Sequence, residues 1–175
     1  MNVAQVTLRF DAPGGVETTV REVSKGLRAL GVSVEVYASD LYDEGRWERR
    51  EDFADRVEGI PVHRFRVYKR LVPGLTMPLM VGLVDALGAS DPEIIHAHSH
   101  RYGHVLESVL VARARRRPIV ISTHYHPADR REPRGKRALL RLQDHVFGLT
   151  AYRSADAIVV ETALEARLVA EFAPR

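Results

Sequence analysis

The sequence predicts a doubly wound parallel α/β domain, and three observations carry that expectation. Helix-type and strand-type hydrophobic periodicity alternate along the whole chain. The first 38 residues read as strand, glycine turn, helix and strand, a β-α-β unit that implies a parallel pair with a right-handed crossover. Residues 93–98 and 119–123 each contain consecutive apolar residues, as suits short strands buried on both faces. The expected sheet has six or so strands, the first of them central, with helices on both faces.

Each element has its own signal. Val3, Val6 and Leu8 make the first strand. Pro13, Gly14 and Gly15 remove side chains where that strand gives way to a helix, so backbone N–H groups there can approach a ligand closely. Val16, Val20, Val23, Leu27 and Leu30 recur at helical spacing, and Gly31 suits the helix C-terminus. Val32, Val34 and Val36 alternate with Ser33 and Glu35 as a second strand. Residues 39–59 carry charges of both signs and read as a solvated excursion, pinned to the body by Trp47 and Phe53.

Residues 60–67 alternate as a third strand, where Pro61 suggests an edge. Residues 75–87 read as an apolar helix. Leu79, Met80, Leu83, Val84 and Leu87 form a face that packs on the sheet or, alternatively, dips into a membrane surface. Residues 93–98 are the fourth strand. Residues 102–116 form a helix with Val105, Val109 and Ala112 inward, ending in Arg113, Arg115, Arg116 and Arg117 at the negative end of its dipole. Pro118 stops it, and 119–123 is the fifth strand. A polar loop follows, then a long helix over 136–153 with Leu139, Leu142, Val146 and Leu149 at helical spacing. Residues 156–160 form the sixth strand. Thr162 caps a last helix in which Glu165 completes a capping box.

At 175 residues, 45% apolar and 28% charged, the composition is that of one globular domain. The formal net charge of +3 suits nucleotide-sugars, anionic lipids or nucleic acid and selects none of them. Cysteine is absent, which removes disulfides and thiolate metal sites. The N-terminus enters a strand without a signal-peptide core, and the longest uncharged stretch, 71–84, is too short to span a bilayer. These features lead to the expectation of a cytoplasmic protein, peripheral at the inner face of the membrane if it meets one.

Ligands of open parallel sheets bind beyond the C-terminal strand ends. The turns after the first, fourth and fifth strands hold Gly14-Gly15, His98-Ser99-His100 and His124-Tyr125-His126. His96, His98, His100 and His104 have no convincing metal-ligand spacing and no acid to complete a hydrolytic site, so no metal is expected. Arg115, Arg116, Arg117, Arg130, Arg131, Lys136 and Arg137 form a basic run suited to an anionic membrane surface or to plain helix-end solvation. No nucleic-acid motif accompanies it. The sequence lacks Asp-x-Asp, Gly-x-Gly-x-x-Gly after the first strand, and Gly-x-Ser-x-Gly. Metal-dependent GT-A transferases, dinucleotide dehydrogenases and α/β-hydrolases therefore find no support.

Three stretches together carry a family resemblance: Pro13-Gly14-Gly15-Val16-Glu17, the Asp91 to His98 stretch with its Ile-His-Ala-His end, and Pro118 to His124. They resemble, in order, the N-terminal half of a GT-B glycosyltransferase of the family-4 type. That resemblance implies a Rossmann-like doubly wound sheet, one half of a GT-B fold, with a nucleotide-sugar donor, a glycan, lipid or small-molecule acceptor, retention of configuration, and no cofactor or metal. It implies a catalytic role for His124 beside the transferred sugar. It also places Gly14, Gly15, His98, Tyr125 and His126 at substrate or donor phosphate.

The donor-binding C-terminal domain is expected in cis or in a partner chain, so residues 1–175 alone are expected not to catalyse transfer. Two readings of different class follow. One is an acceptor-side half of a retaining glycosyltransferase; the other is a non-catalytic membrane-binding or scaffolding subunit that recruits a donor-binding chain.

Overall fold

A computed structural model of the chain describes residues 1–50, 54–68, 78–127 and 131–171. In chain order the elements are β1 (Asn2–Thr7), α1 (Gly15–Ala29), β2 (Ser33–Ser39), β3 (Leu41–Asp43), β4 (Glu48–Arg49), β5 (Arg56–Val57) and β6 (Ile60–Phe65). They continue as α2 (Leu83–Ser90), β7 (Ile94–His98), α3 (Gly103–Arg115), β8 (Ile119–Ser122), α4 (Arg134–Thr150), a 3-10 turn (Tyr152–Ser154), β9 (Ala157–Val159) and α5 (Ala163–Ala170).

One sheet orders its strands β5-β6-β2-β1-β7-β8-β9, and every pairing in it is parallel except β5 with β6. The expected central position of β1 holds, and its register runs from Asn2 opposite Ser33 to Thr7 opposite Ala38. Two hydrophobic cores lie on the two faces. Ala4, Val6, Tyr37, Ile95 and Ile121 pack with Leu83, Leu87, Val105 and Val109 of α2 and α3, while Val36, Ala38, Ile60 and Val62 pack with Val20 of α1. Strand side chains alternate between faces, so one strand feeds both cores. Each buried Val or Ile contributes on the order of 2 kcal/mol through burial alone.

The charged excursion is more ordered than a solvated loop. β3 and β4 pair as an antiparallel hairpin, and Trp47 packs against the larger core as expected. Phe53 lies outside the described residues. Pro61 does not mark the outer edge, because β5 pairs antiparallel outside β6. Glu58 and Gly59 both have positive φ, so Val57 and Ile60 close a two-residue turn of the kind that twists with a hairpin.

α2 starts later than the apolar run suggests. Met80 bridges Val67, Val81 N–H donates to the Arg66 carbonyl, and Gly82 is left-handed, so the helix begins only at Leu83. Leu83 and Leu87 are fully buried, which commits that face to the core. Residues 75–77 lie outside the described part.

α4 runs where expected, but its apolar stripe faces solvent. Leu139, Leu142, Val146 and Leu149 are exposed, while Gln143, Asp144, Phe147 and Gly148 face inward.

Candidate functional site

β1 lies between β2 and β7, so the chain's winding reverses at its C-terminal end. A cavity of about 170 Å³ opens there, lined by Arg9, Gly14, Gly15, Glu17, Glu44, Ser99 and Tyr102, among others. Gly14 caps α1 without a side-chain bond, and the first helical bond runs from Thr18 N–H to the Gly14 carbonyl. The N–H groups of Gly15, Val16 and Glu17 therefore begin the helix without helical partners.

An added Cβ at Gly14 would lie 1.9 Å from a Glu17 carboxylate oxygen, so any side chain there displaces that carboxylate. Glu17 folds back over the turn and pairs with Arg9 at 2.6 Å, and is buried there rather than merely favoured by the dipole. Nothing crowds Gly15. Across the cavity, the Tyr102 hydroxyl donates to Glu44 at 2.9 Å. Glu44 comes from the excursion that reads as solvent-exposed in the sequence. The lining thus holds two carboxylates and one guanidinium.

Beside it lies a chain of histidines. His98 is fully buried: Nε2 donates to the Gln5 amide oxygen at 2.7 Å, and Nδ1 lies 3.3 Å from His124 Nε2. His98 therefore holds His124 in place and is closed to direct ligand contact. His124 Nδ1 lies 3.0 Å from Glu161 Oε1; the imidazole is 4% exposed and the Glu161 side chain 51%. Thr19 of α1 donates to the same Glu161 oxygen, which joins the first turns of α1 to His124. Two strand spacings, about 10 Å, separate β1 from β8. His96 bonds Ser122, and burial pushes its imidazole down to about 4. Burial does the same to His104, whose Nε2 donates to the His98 carbonyl.

A second polar cluster ties the loops together. Asp144 accepts from His100 Nε2 at 2.8 Å, from the Arg101 guanidinium through two nitrogens, and from the Tyr125 hydroxyl at 3.1 Å. Tyr152 donates to His100 Nδ1. Burial opposes the charge on Asp144, but the bonds from His100 and Arg101 outweigh it and hold its carboxyl below the usual range.

Glu165 plays a similar part. Thr162 accepts from its N–H as a cap should, but its carboxylate passes over the cap and bonds Thr123, the Tyr125 N–H and the Glu161 N–H. Burial opposes its ionisation; those bonds win and lower it. Tyr125 is thus fixed at both ends as part of the frame, while His126 is exposed nearby. Ser99, Arg101 and His124 all have positive φ, conformations that cost on the order of 1–3 kcal/mol each and are held by these bonds.

The expected basic run is not one patch. Arg115, Arg116 and Arg117 lie where α3 ends and β8 begins, at the opposite end of the sheet from the site, and Arg117 pairs with Asp91 at 2.6 Å. Arg131, Lys136 and Arg137 lie at the site end; Arg130 is outside the described residues. Among the described residues no group of three or more acidic or histidine side chains could hold a metal.

The residues that sequence reading missed are Gln5, Glu44, Arg101, Asp144 and Glu161. Glu161 had a signal, because it directly follows a strand at the ligand-binding end. Asp144 had a weaker one, as the only acid in a basic helix.

Fold and site together define a Rossmann-like α/β domain with a ligand crevice at its topological switch point. Solved structures share that fold. HepE of Anabaena, solved in complex with UDP-glucose, superposes with a TM-score of 0.65 at 14% identity, covering 100% of this chain and 41% of HepE. MurG of Acinetobacter baumannii gives 0.55 at 15% identity, covering 94% and 42%. The UDP-GlcNAc 2-epimerase of Methanocaldococcus jannaschii gives 0.59 at 9% identity, covering 100% and 43%. The chain thus spans about two fifths of the length of these structures. No curated protein sequence gives a significant match. Residues 14–175 match the glycosyl transferase 4-like domain family, and the chain belongs to it.

Proposed function

We propose that the chain is the N-terminal, acceptor-side domain of a retaining glycosyltransferase that takes its sugar from a nucleotide-sugar donor. A donor-binding domain, in cis or in a partner chain, completes the site. The observation that carries this reading is a cavity at the Gly14-Gly15 turn and Tyr102, with His124 linked to the same helix start through Glu161 and Thr19, all at the C-terminal end of one parallel sheet, in a member of the glycosyl transferase 4-like family. HepE of Anabaena, bound to UDP-glucose, supports a nucleotide-sugar as the donor.

The charges of the cavity divide the work. Glu17 and Glu44 suit the hydroxyls of an acceptor, and the Arg9 guanidinium offsets one of the two negative charges. Donor phosphate then meets the open N–H groups at Gly15, where the helix dipole favours negative charge. As the half-exposed Glu161 turns toward solvent, His124 Nδ1 becomes free to hydrogen-bond a hydroxyl of the transferred sugar. The protein's contribution is positioning and charge stabilisation, with the leaving phosphate helping to deprotonate the acceptor hydroxyl. No metal enters this scheme.

The test is a transfer assay on these residues combined with their donor-binding domain, using labelled UDP-glucose, UDP-GlcNAc and GDP-mannose against membrane-lipid and glycan acceptors. The reading predicts label transfer from at least one donor. Epimerised nucleotide-sugar with no transfer, or no turnover by the folded assembly, would contradict it.

A further inference from the structure

We propose that α4 is a membrane-contact helix that seats the domain on an anionic lipid bilayer beside the acceptor crevice. The inference deepens the acceptor-side reading by naming the surface from which an acceptor is drawn. Its physical content, lipid binding, is measured without transfer, so either can fail alone.

The first observation is an inverted helix. Leu139, Leu142, Val146 and Leu149 are 38%, 62%, 53% and 49% exposed. At 100° per residue they fall within an arc of about 80°, away from the inward-facing Asp144 and Phe147. A helix held by apolar burial turns such a stripe inward. Here the hold comes from Phe147 and from the bonds that Asp144 accepts from His100, Arg101 and Tyr125. The apolar stripe is left for another partner.

The second observation is charge. Between residues 131 and 141 the sequence has Arg131, Arg134, Lys136, Arg137 and Arg141 against one acid, Glu132. Within α4 the only acid is Asp144, which is buried and bonded. Arg134 lies about 60° from the stripe on one side and Lys136 about 60° on the other, where it pairs with Glu132 at 2.7 Å; Arg141 lies farther round beyond Arg134, and all three are exposed. An apolar stripe bordered by cations, with no exposed acid in its helix, matches a bilayer that offers hydrocarbon below and anionic headgroups above. A second copy of the chain fits poorly, since pairing two such faces brings Arg134 and Arg141 together with only Glu132, already bonded to Lys136, to meet them.

Position is the third. Asp144 is tied to residues just beyond the C-terminal ends of β7 and β8, and α4 runs back from the loop after β8. The ten residues before Asp144 therefore carry the helix about 15 Å past that level. The site and the projecting half of α4 share one end of the molecule.

Vesicle sedimentation of the 175-residue chain tests the proposal, with neutral phosphatidylcholine against mixtures containing phosphatidylglycerol. Binding is expected only to the anionic vesicles. Leu142→Ser with Val146→Ser should weaken it at least tenfold, and each of Arg134→Gln, Lys136→Gln and Arg141→Gln roughly fivefold. Arg115→Gln with Arg116→Gln, at the far end, should leave it unchanged. Because all the substituted side chains are exposed, circular dichroism should show unaltered folding. The proposal is overturned by absent or equal binding to the two vesicle types. It is also overturned by a Leu142→Ser, Val146→Ser variant that binds undiminished, or by self-association that this variant abolishes in a chain that ignores vesicles.

Discussion

His96 and His104 stand, with His98 and His100, among the buried histidines through which pH acts on this fold. Both are held neutral by burial, their imidazoles pushed down to about 4, while an unfolded chain leaves them near the ordinary value of about 6.5. Between those values the unfolded chain binds more protons. Their contribution is therefore full above about pH 6.5 and is lost as pH falls toward 4. Each contributes on the order of 3 kcal/mol across that window. Urea midpoints should fall from pH 7 to pH 5, and His104→Gln, which does not titrate, should flatten the decline. A midpoint unchanged over that range would contradict neutral burial. The sequence showed which turns hold histidines but not this division of labour. Whether a histidine points at a ligand or at Gln5 depends on a neighbour 93 positions away, and no local pattern encodes that.

At the scale of elements, the glycine turn separates folding from function. Gly14→Ala forces the Glu17 carboxylate off its place and should cost about 1–3 kcal/mol through the disturbed pair with Arg9. Gly15→Ala meets nothing and should be neutral or stabilise by up to about 1 kcal/mol. Under the proposed function, Gly15→Ala should nonetheless lower turnover when the chain is joined to a donor-binding domain. Thermal melts beside kinetics separate the two effects, and equal loss of stability in both variants would contradict the geometry.

Among the elements, α1, β2, β7, α3 and β8 were legible because each carries a clean period or a glycine or proline boundary. The hairpin of β3 and β4 was not, because its two short strands carry mixed charge and are held by Trp47 and neighbouring strands. α4 was legible as a helix but not in its rotation. Its hydrophobic stripe is overruled by Asp144, whose partners lie on other loops.

At the scale of the molecule, seven strands wound about a central β1 place the glycine turn, Tyr102 and His124 on one edge. The parallel winding follows from alternation and was readable in advance, and the switch-point rule points to the strand ends where the cavity opens. The cavity itself was not readable, because Glu44 and Glu17 enter it through tertiary contacts.

The central claim is that this edge contributes His124 to sugar transfer, and one kinetic comparison tests it most directly. His124 has a φ of 43°, a conformation that asparagine accepts readily, so His124→Asn removes the imidazole without straining the backbone. In the chain joined to its proposed donor-binding domain, kcat per folded molecule should fall roughly ten- to a thousandfold, while the lost bond to His98 costs stability only on the order of 1–3 kcal/mol. His96→Ala should instead cost stability more than rate. A His124→Asn enzyme whose turnover per folded molecule equals that of the unsubstituted protein would contradict the account and make the histidine part of the frame.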